Sequence, residues 1–301
     1  MDDLRRWSLP GTALAVLGHP VQHSLSPAMH NGALAALACE QPAFAAWHYH
    51  KFAVRPEELL PALDLFHERG FAGLNLTVPH KVIAFARVRA VGPVVPVIGA
   101  VNTLVRAETG GGWDGHNTDG YGLAAGVRQD LGLSLHDRPV ILLGAGGAAR
   151  AAAVECLHPE RHCAGLWIAN RTRGRLDALV AALAPLQAAG RVHAFDPAAP
   201  PSDLPAGALV INATAAGLRP GDAPPIDLAC LPRPAGVYDM IYNPPRTALL
   251  EQAAGCGLPH ANGLSMLVYQ GAKSLEIWSG VPAERTAPTM LRAARAELVA
   301  L

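Results

Sequence analysis

Asn75, Thr77 and Lys81 share one short stretch, Gly73-Leu-Asn-Leu-Thr-Val-Pro-His-Lys81, in which an amide, a hydroxyl and an amine follow one another. Phe71, Leu74, Leu76 and Val78 flank them and predict a buried strand, whose alternation places Asn75 and Thr77 on one face. Pro79 cannot continue a central strand, so the chain turns there and Lys81 falls just beyond the strand end. A surface turn with solvated side chains is the ordinary reading of such a stretch. The chemical reading is a ligand-facing polar ladder that ends in an amine able to exchange a proton.

A second kind of chemistry is written in Gly144-Ala-Gly-Gly-Ala-Ala149, which follows the apolar run 140–143 and opens an Ala-rich segment. Gly144 permits a tight turn, Gly146 lets backbone approach a pyrophosphate, and the helix N-terminus offers free N–H groups to its oxygens. Ala149 occupies the third position, where a small residue lets helix and strand pack closely. A glycine-rich turn without a ligand is the alternative, and the strand-then-helix context is what favours a nucleotide. Proteins that bind NAD usually place a carboxylate after the next strand. Here that position reads Asn170-Arg-Thr-Arg-Gly-Arg175. Arg171 and Arg175 offer planar forks of donors, and Thr172 a hydroxyl, to a phosphate on the ribose. Arginines crowded at the positive end of a helix need an anion, so NADP is the expected cofactor.

Further polar residues fall at predicted element ends. Ser24 and Ser26, in His-Ser-Leu-Ser-Pro, stand at a helix start, where they either cap the helix or hold a carboxylate. Asn102 lies in Gly-Ala-Val-Asn-Thr, and Asp119 in Asn-Thr-Asp-Gly, ahead of a helix that it either caps or serves as an acid.

The elements that must position these groups alternate between strand-like and helix-like runs, which predicts an α/β protein with mainly parallel sheets. Strands are expected at residues 13–17, 45–52 and around Asn75. Helices are expected from Ser26, with Ser26 as the capping hydroxyl, and over 56–69, closed by Gly70. Residues 100–106 and 112–114 read as a hairpin across Thr109-Gly110-Gly111. After a helix over 123–131, strands are expected at 140–143, 166–169, 192–195, 209–212 and 237–240. Helices follow the glycine turn to residue 157 and cover 175–189. Two domains result: residues 1–118 for substrate, with a strandless helical tail from 264 to 301 packing back on them, and a Rossmann-type dinucleotide-binding domain over 119–263.

The chain has 301 residues, enough for two cores, and equal numbers of basic and acidic side chains, 24 of each. No basic face for nucleic acid and no polybasic membrane patch are therefore expected. No apolar run reaches the roughly 18 residues of a membrane span, and Met-Asp-Asp-Leu-Arg-Arg-Trp lacks the basic start and apolar block expected of a secretory signal. Five dispersed cysteines suit a reducing cytosol, so a soluble cytoplasmic protein is expected. His158, His162 and Cys163, or His48 and His50, could begin a metal site, but neither set has a convincing fourth ligand, and no metal is expected.

The order of His-Ser-Leu-Ser-Pro, Asn-Leu-Thr-Val-Pro-His-Lys, Gly-Ala-Val-Asn-Thr, Asn-Thr-Asp-Gly, Gly-Ala-Gly-Gly-Ala-Ala-Arg, Asn-Arg-Thr, Asn-Ala-Thr, Tyr-Asp-Met-Ile-Tyr and Asn-Gly-Leu-Ser-Met-Leu resembles that of the shikimate dehydrogenases. The resemblance covers nearly the whole chain. It implies reversible NADPH-dependent reduction of 3-dehydroshikimate to shikimate, in aromatic amino-acid biosynthesis. It also implies that Ser24, Ser26 and Tyr242 hold the substrate carboxylate, and that Asn75, Thr77, Asn102 and Gln270 meet the ring hydroxyls. The family's catalytic pair falls on Lys81 and Asp119. Gly146, Gly147 and Ala148 would line the pyrophosphate, Asn170, Arg171 and Arg175 the adenosine phosphate, and Met240 and Gly263 the nicotinamide side, with Thr214 nearby.

One stretch departs from the family. Between Lys81 and Gly99 relatives usually carry several acidic residues, whereas residues 85–97 are rich in Arg, Val and Pro and read as helix and loop. Ser26 favours shikimate over quinate, since a Thr there is more typical of quinate-accepting relatives. A quinate or aminoshikimate paralogue and a catalytically silent nucleotide sensor are the rival readings, and a monomer or homodimer is expected. Lys81 would deliver the proton in reduction and accept it in oxidation, or act mainly as an electrostatic clamp.

Overall fold

The computed structural model describes residues 10–108, 111–159, 162–186 and 191–300, together with residues 4, 7 and 8. The chain divides into two compact units, Met1–Thr118 with Val268–Leu301, and Asp119–Leu267.

The first unit opens with β1 (Thr12–Gly18), α1 (Ser26–Glu40), β2 (Trp47–Ala53), α2 (Leu59–Glu68) and β3 (Gly73–Leu76). It continues through α3 (His80–Phe85), β4 (Arg89–Ala90), α4 (Val95–Ile98), β5 (Thr103–Arg106) and β6 (Trp113–His116). Its six strands run in the order β2-β1-β3-β5-β6-β4. The two helical crossovers make β1 parallel to β2 and β3, while the hairpin reverses β5 against β3 and β6. With β4 parallel to β6, three of the five pairings are parallel and two antiparallel, so the sheet is mixed but mainly parallel. Thr109 and Gly110, in the predicted hairpin connection, lie outside the described residues. Leu17, Leu63, Phe66, Phe71, Leu74 and Leu104 form a core on the α2 side.

Two expectations for this unit need correction. Val78 is 72% exposed, because pairing ends at Thr77 and the chain turns through Val78 and Pro79. The stretch 85–97 is not only helix and loop: Arg89 and Ala90 pair with Asp114 and Gly115 as an edge strand. The Arg89 guanidinium anchors it, its Nε donating to Asp114 Oδ1 at 2.7 Å and holding that carboxyl below its ordinary pKa.

The second unit consists of α5 (Asp119–Leu131), β7 (Pro139–Leu143), α6 (Gly147–Cys156), β8 (Gly165–Ala169), α7 (Arg173–Ala182) and β9 (Val192–Phe195). Then follow β10 (Leu209–Asn212), β11 (Gly236–Asp239), α8 (Ala248–Gly255) and β12 (His260–Asn262). All six strands are parallel, in the order β12-β11-β10-β7-β8-β9. Renumbered from β7, this is the 3-2-1-4-5-6 order of a doubly wound dinucleotide-binding sheet. The central strands are buried along nearly their whole length, hence their continuous apolar runs. Helix α7 starts at Arg173 and ends at Ala182; the last part of its predicted span, residues 187–189, lies outside the described residues. Strand β12 escaped sequence reasoning, since His-Ala-Asn is too short and polar to carry a strand pattern.

The tail is helical as expected, with α9 (Leu264–Ser279) and α10 (Ala283–Ala300). The chain passes back into the first unit within α9, and α10 packs along α1.

Candidate active site

In the first unit the polar residues converge on the ends of β3 and β5. The chain enters α1 through Leu25, which already has helical dihedrals, with Pro27 in the first turn. Ser26 is therefore inside the helix, which has no side-chain cap, and just ahead of it the Ser24 hydroxyl accepts from the Ser26 N–H at 3.3 Å. This corrects the assignment of the cap to Ser26 and leaves the Ser26 hydroxyl for other work. Burial raises the nearby Tyr49 phenol well above its ordinary pKa.

Asn75 is buried, and its amide is used within the protein. Its Nδ2 donates to the Asn102 carbonyl at 3.0 Å, to Ser274 Oγ at 2.9 Å and to Thr103 Oγ1 at 3.2 Å. Its Oδ1 accepts from the Tyr49 hydroxyl at 2.7 Å. One lone pair of Oδ1 is what remains for a ligand. Thr77, half-buried just past β3, still donates its N–H to the Leu17 carbonyl at 3.0 Å. Lys81 is half-buried in the first turn of α3, and its carbonyl accepts from Val101 N–H at 3.0 Å.

Asn102 is 1% exposed and ties three segments together. Its Oδ1 accepts from the Thr118 N–H at 2.9 Å, and its Nδ2 donates to Thr118 Oγ1 at 3.0 Å and to Gln270 Oε1 at 3.3 Å. Thr118 Oγ1 in turn donates to the Gln270 carbonyl at 3.0 Å. The tail helix is thus fastened to the β3–β5 region through Gln270 and Ser274. Asp119 follows Thr118 and is the first residue of α5.

In the second unit the glycine turn lies at the carboxyl end of β7, between β8 and β10, which is where a doubly wound sheet reverses strand order and opens a crevice. Gly144 has φ +114°, and a Cβ there would lie 3.0 Å from the Ala213 carbonyl oxygen. Only glycine lets the β7 turn lie this close to the loop after β10. Gly146, Gly147 and Ala148 are exposed, nothing lies within 4 Å of a Cβ built at either glycine, and no side chain caps α6. Bare N–H groups at the positive end of α6 thus face open space.

After β8, Asn170 Nδ2 donates to the Thr172 carbonyl at 2.9 Å, and the Thr172 hydroxyl caps no backbone N–H of α7. Arg173 Nε pairs with Asp177 at 2.8 Å. Arg171 and Arg175 are exposed and, among the described residues, lack an acidic partner. A glycine cradle, an uncapped helix and two uncommitted guanidinium groups fit a dinucleotide with an extra phosphate on its adenosine ribose.

The loop after β10 is wound on Asn212, whose Oδ1 accepts from Thr214 N–H at 2.9 Å and Thr214 Oγ1 at 2.7 Å. Met240, Ile241 and Tyr242 follow β11, and burial raises the Tyr242 phenol pKa. A Cβ on Gly263 would lie 2.1 Å from the Met240 carbonyl oxygen, so these two backbones touch.

The chain is 40% identical to the shikimate dehydrogenase (NADP(+)) of Symbiobacterium thermophilum over 275 residues, 90% of each chain. The chain belongs to the shikimate dehydrogenase family. Within it, the model of the shikimate dehydrogenase substrate binding domain matches residues 16–104, and that of the shikimate 5'-dehydrogenase C-terminal domain residues 263–295. The shikimate 5-dehydrogenase of Thermus thermophilus, solved in complex with NADP(H) and shikimate, is 34% identical. It aligns with a TM-score of 0.79 over 95% of this chain and 99% of that one. The quinate dehydrogenase of Corynebacterium glutamicum, solved with NAD, is 27% identical with a TM-score of 0.77 over 94% and 99%.

Several residues of this hydrogen-bonded network were invisible to sequence reasoning. Tyr49 and Ser274 reach Asn75 from distant segments, and no local pattern singles them out. Asn212 and Asp239 stand in the Asn-Ala-Thr and Tyr-Asp-Met-Ile-Tyr motifs, a signal that sequence reading noticed without giving either residue a task. Among the described residues no group of three or more His, Cys, Asp or Glu side chains could hold a metal ion, and no helix is long and apolar enough to cross a membrane.

Proposed function

We propose that this protein catalyses the reversible, NADPH-dependent reduction of 3-dehydroshikimate to shikimate. The observation that carries this reading is the 40% identity, across 90% of both chains, with an NADP-dependent shikimate dehydrogenase. The two uncommitted arginines after β8 support the choice of NADP over NAD.

On this reading residues 1–118 and the tail from 264 bind substrate, and residues 119–263 bind the dinucleotide. NADPH, when bound, supplies the hydride. The N–H groups of Gly146, Gly147 and Ala148 hold the pyrophosphate, and Asn170, Arg171, Thr172 and Arg175 the adenosine phosphate. Gly144 and Thr214 shape the turn beside them, and Met240 and Gly263 border the nicotinamide. Ser24, Ser26 and Tyr242 hold the substrate carboxylate. Asn75, Thr77, Asn102 and Gln270 meet ring hydroxyls.

Reduction leaves negative charge on the carbonyl oxygen, and Lys81 delivers a proton to it; oxidation reverses the transfer. Positioned proton transfer contributes roughly 10²–10⁴-fold to such a rate. Asp119, from the Asn-Thr-Asp-Gly motif, is assigned as the second catalytic group. The dispersed, free cysteines support a reducing cytoplasm as the place of action, with the protein acting as a monomer or homodimer.

An absorbance assay of nicotinamide reduction tests this, with shikimate or quinate as substrate and NADP+ or NAD+ as cofactor. Turnover should be fastest with shikimate and NADP+. Faster turnover of quinate with NAD+ would replace the assignment with a quinate dehydrogenase, and no turnover of any pair would end the enzymatic reading.

A further inference from the structure

Asp239 ends β11 and is 0% exposed, with no cation among its partners in the described residues. Its Oδ1 accepts from Asn212 Nδ2 at 3.0 Å and from the Ile241 N–H at 3.0 Å. Its Oδ2 accepts from the Thr247 hydroxyl at 2.6 Å, and Thr247 caps α8 by accepting the Leu250 N–H at 3.4 Å. A buried carboxylate is costly unless donors surround it, and here three donors from three segments do so.

Two of those segments lead to the dinucleotide crevice. Asn212 turns its other amide atom to Thr214, fixing the loop that lies against Gly144. Ile241 stands between Met240 and Tyr242, and its carbonyl accepts the Gly263 N–H at 3.1 Å. Asp239 itself sits behind these loops, in the layer that sets their spacing.

We propose that Asp239 is the positioning residue for the nicotinamide half of the dinucleotide site. It acts through Asn212 on Thr214 and through Ile241 on Met240 and Gly263. The proposal rests on the NADP reading above. Arg171 and Arg175, by contrast, hang on the β8–α7 turn, to which Asp239 makes no hydrogen bond, so the adenosine half is set independently.

The two halves can be separated by calorimetric titration of the full chain with NADP+ and with adenosine 2′,5′-bisphosphate, which carries only the adenosine half. In Asp239→Ala, NADP+ should bind about ten-fold more weakly or worse, the scale of lost buried hydrogen bonds. Adenosine 2′,5′-bisphosphate should bind within about two-fold of the unmodified chain. Asp239→Asn keeps an acceptor for Asn212 and Ile241, so it should restore most NADP+ affinity. Should Asp239→Ala not fold, Thr247→Val, which removes the Oδ2 donor together with the α8 cap and leaves both Oδ1 bonds, should show a smaller loss confined to NADP+.

Equal weakening of both ligands would mean general loosening of the unit and would overturn the proposal, as would unchanged NADP+ binding. Failure of the unmodified chain to bind either ligand would instead remove the NADP reading itself.

Discussion

The Tyr49 hydroxyl donates to Oδ1 of Asn75 at 2.7 Å, so a side chain of β2 holds the amide of β3 across the intervening β1. Asn31 of α1 fixes that tyrosine from behind, its amide bonding both the N–H and the carbonyl of Tyr49 at 2.9 Å. The orientation of Asn75, and with it the start of the polar ladder, depends on a residue far away in sequence. Tyr49→Phe should therefore leave Oδ1 of Asn75 buried without its donor. The expected cost is about 1–3 kcal/mol of folding stability, measurable by urea denaturation. An unchanged midpoint would show that water replaces the phenol.

Lys81→Ala should lower kcat for shikimate oxidation by roughly 10²–10⁴-fold while KM for shikimate stays within a small factor. Steady-state kinetics decide this. A large rise in KM at constant kcat would make Lys81 a binding group rather than a proton-transfer group.

Arg171 and Arg175 differ from Arg173 in having no carboxylate to neutralise them among the described residues. Replacing either by Ala should raise KM for NADP+ by about ten-fold or more, on the scale of one charged hydrogen bond, and leave KM for NAD+ nearly unchanged. Parallel loss with both cofactors would point away from phosphate recognition.

His30 is fully buried, its ring stacked on Tyr49 at 4.1 Å, and among the described residues neither ring nitrogen has a hydrogen-bond partner. Desolvation lowers its pKa from 6.5 to about 3. The unfolded chain therefore takes up this proton at higher pH than the folded one. The contribution to stability is complete above pH 6.5 and is lost as pH falls toward about 3. His30→Phe should flatten the fall in stability across that interval, seen in urea midpoints measured at several pH values. The same slope in both proteins would assign the acid sensitivity elsewhere.

At Gly263 the Met240 carbonyl occupies the place of a side chain, with 2.1 Å to a built Cβ. Gly263→Ala must push apart the backbone after β11 and the start of α9. A loss of about 3 kcal/mol or more is expected, together with weaker NADP+ binding. Thermal unfolding with and without NADP+ would check both, and full stability in the variant would mean that the two backbones separate easily.

Local chemistry made part of this molecule legible in its residue order. Strand 192–195 and strand 209–212 match their observed bounds, because short apolar runs bounded by turn residues admit little else. The glycine turn was readable because its backbone requirement is local, a positive φ at Gly144 and bare N–H groups at a helix start. Helix 175–189 was less legible, since an Ala-rich run carries no clear stop. The edge strand at Arg89 was hidden because it exists only where Asp114 stands opposite.

The residue order alone determined most of the element sequence and the cofactor fingerprint, which rest on local spacing, and the family, through motifs spread over nearly the whole chain. Only the tertiary structure decided which polar groups are spent on the fold and which are left for a ligand. Asn75 meets Ser274 across 199 positions, and Asp239 gathers donors from three segments. Such partners are chosen by packing, because a buried polar atom must find whichever acceptor or donor the fold brings within about 3 Å.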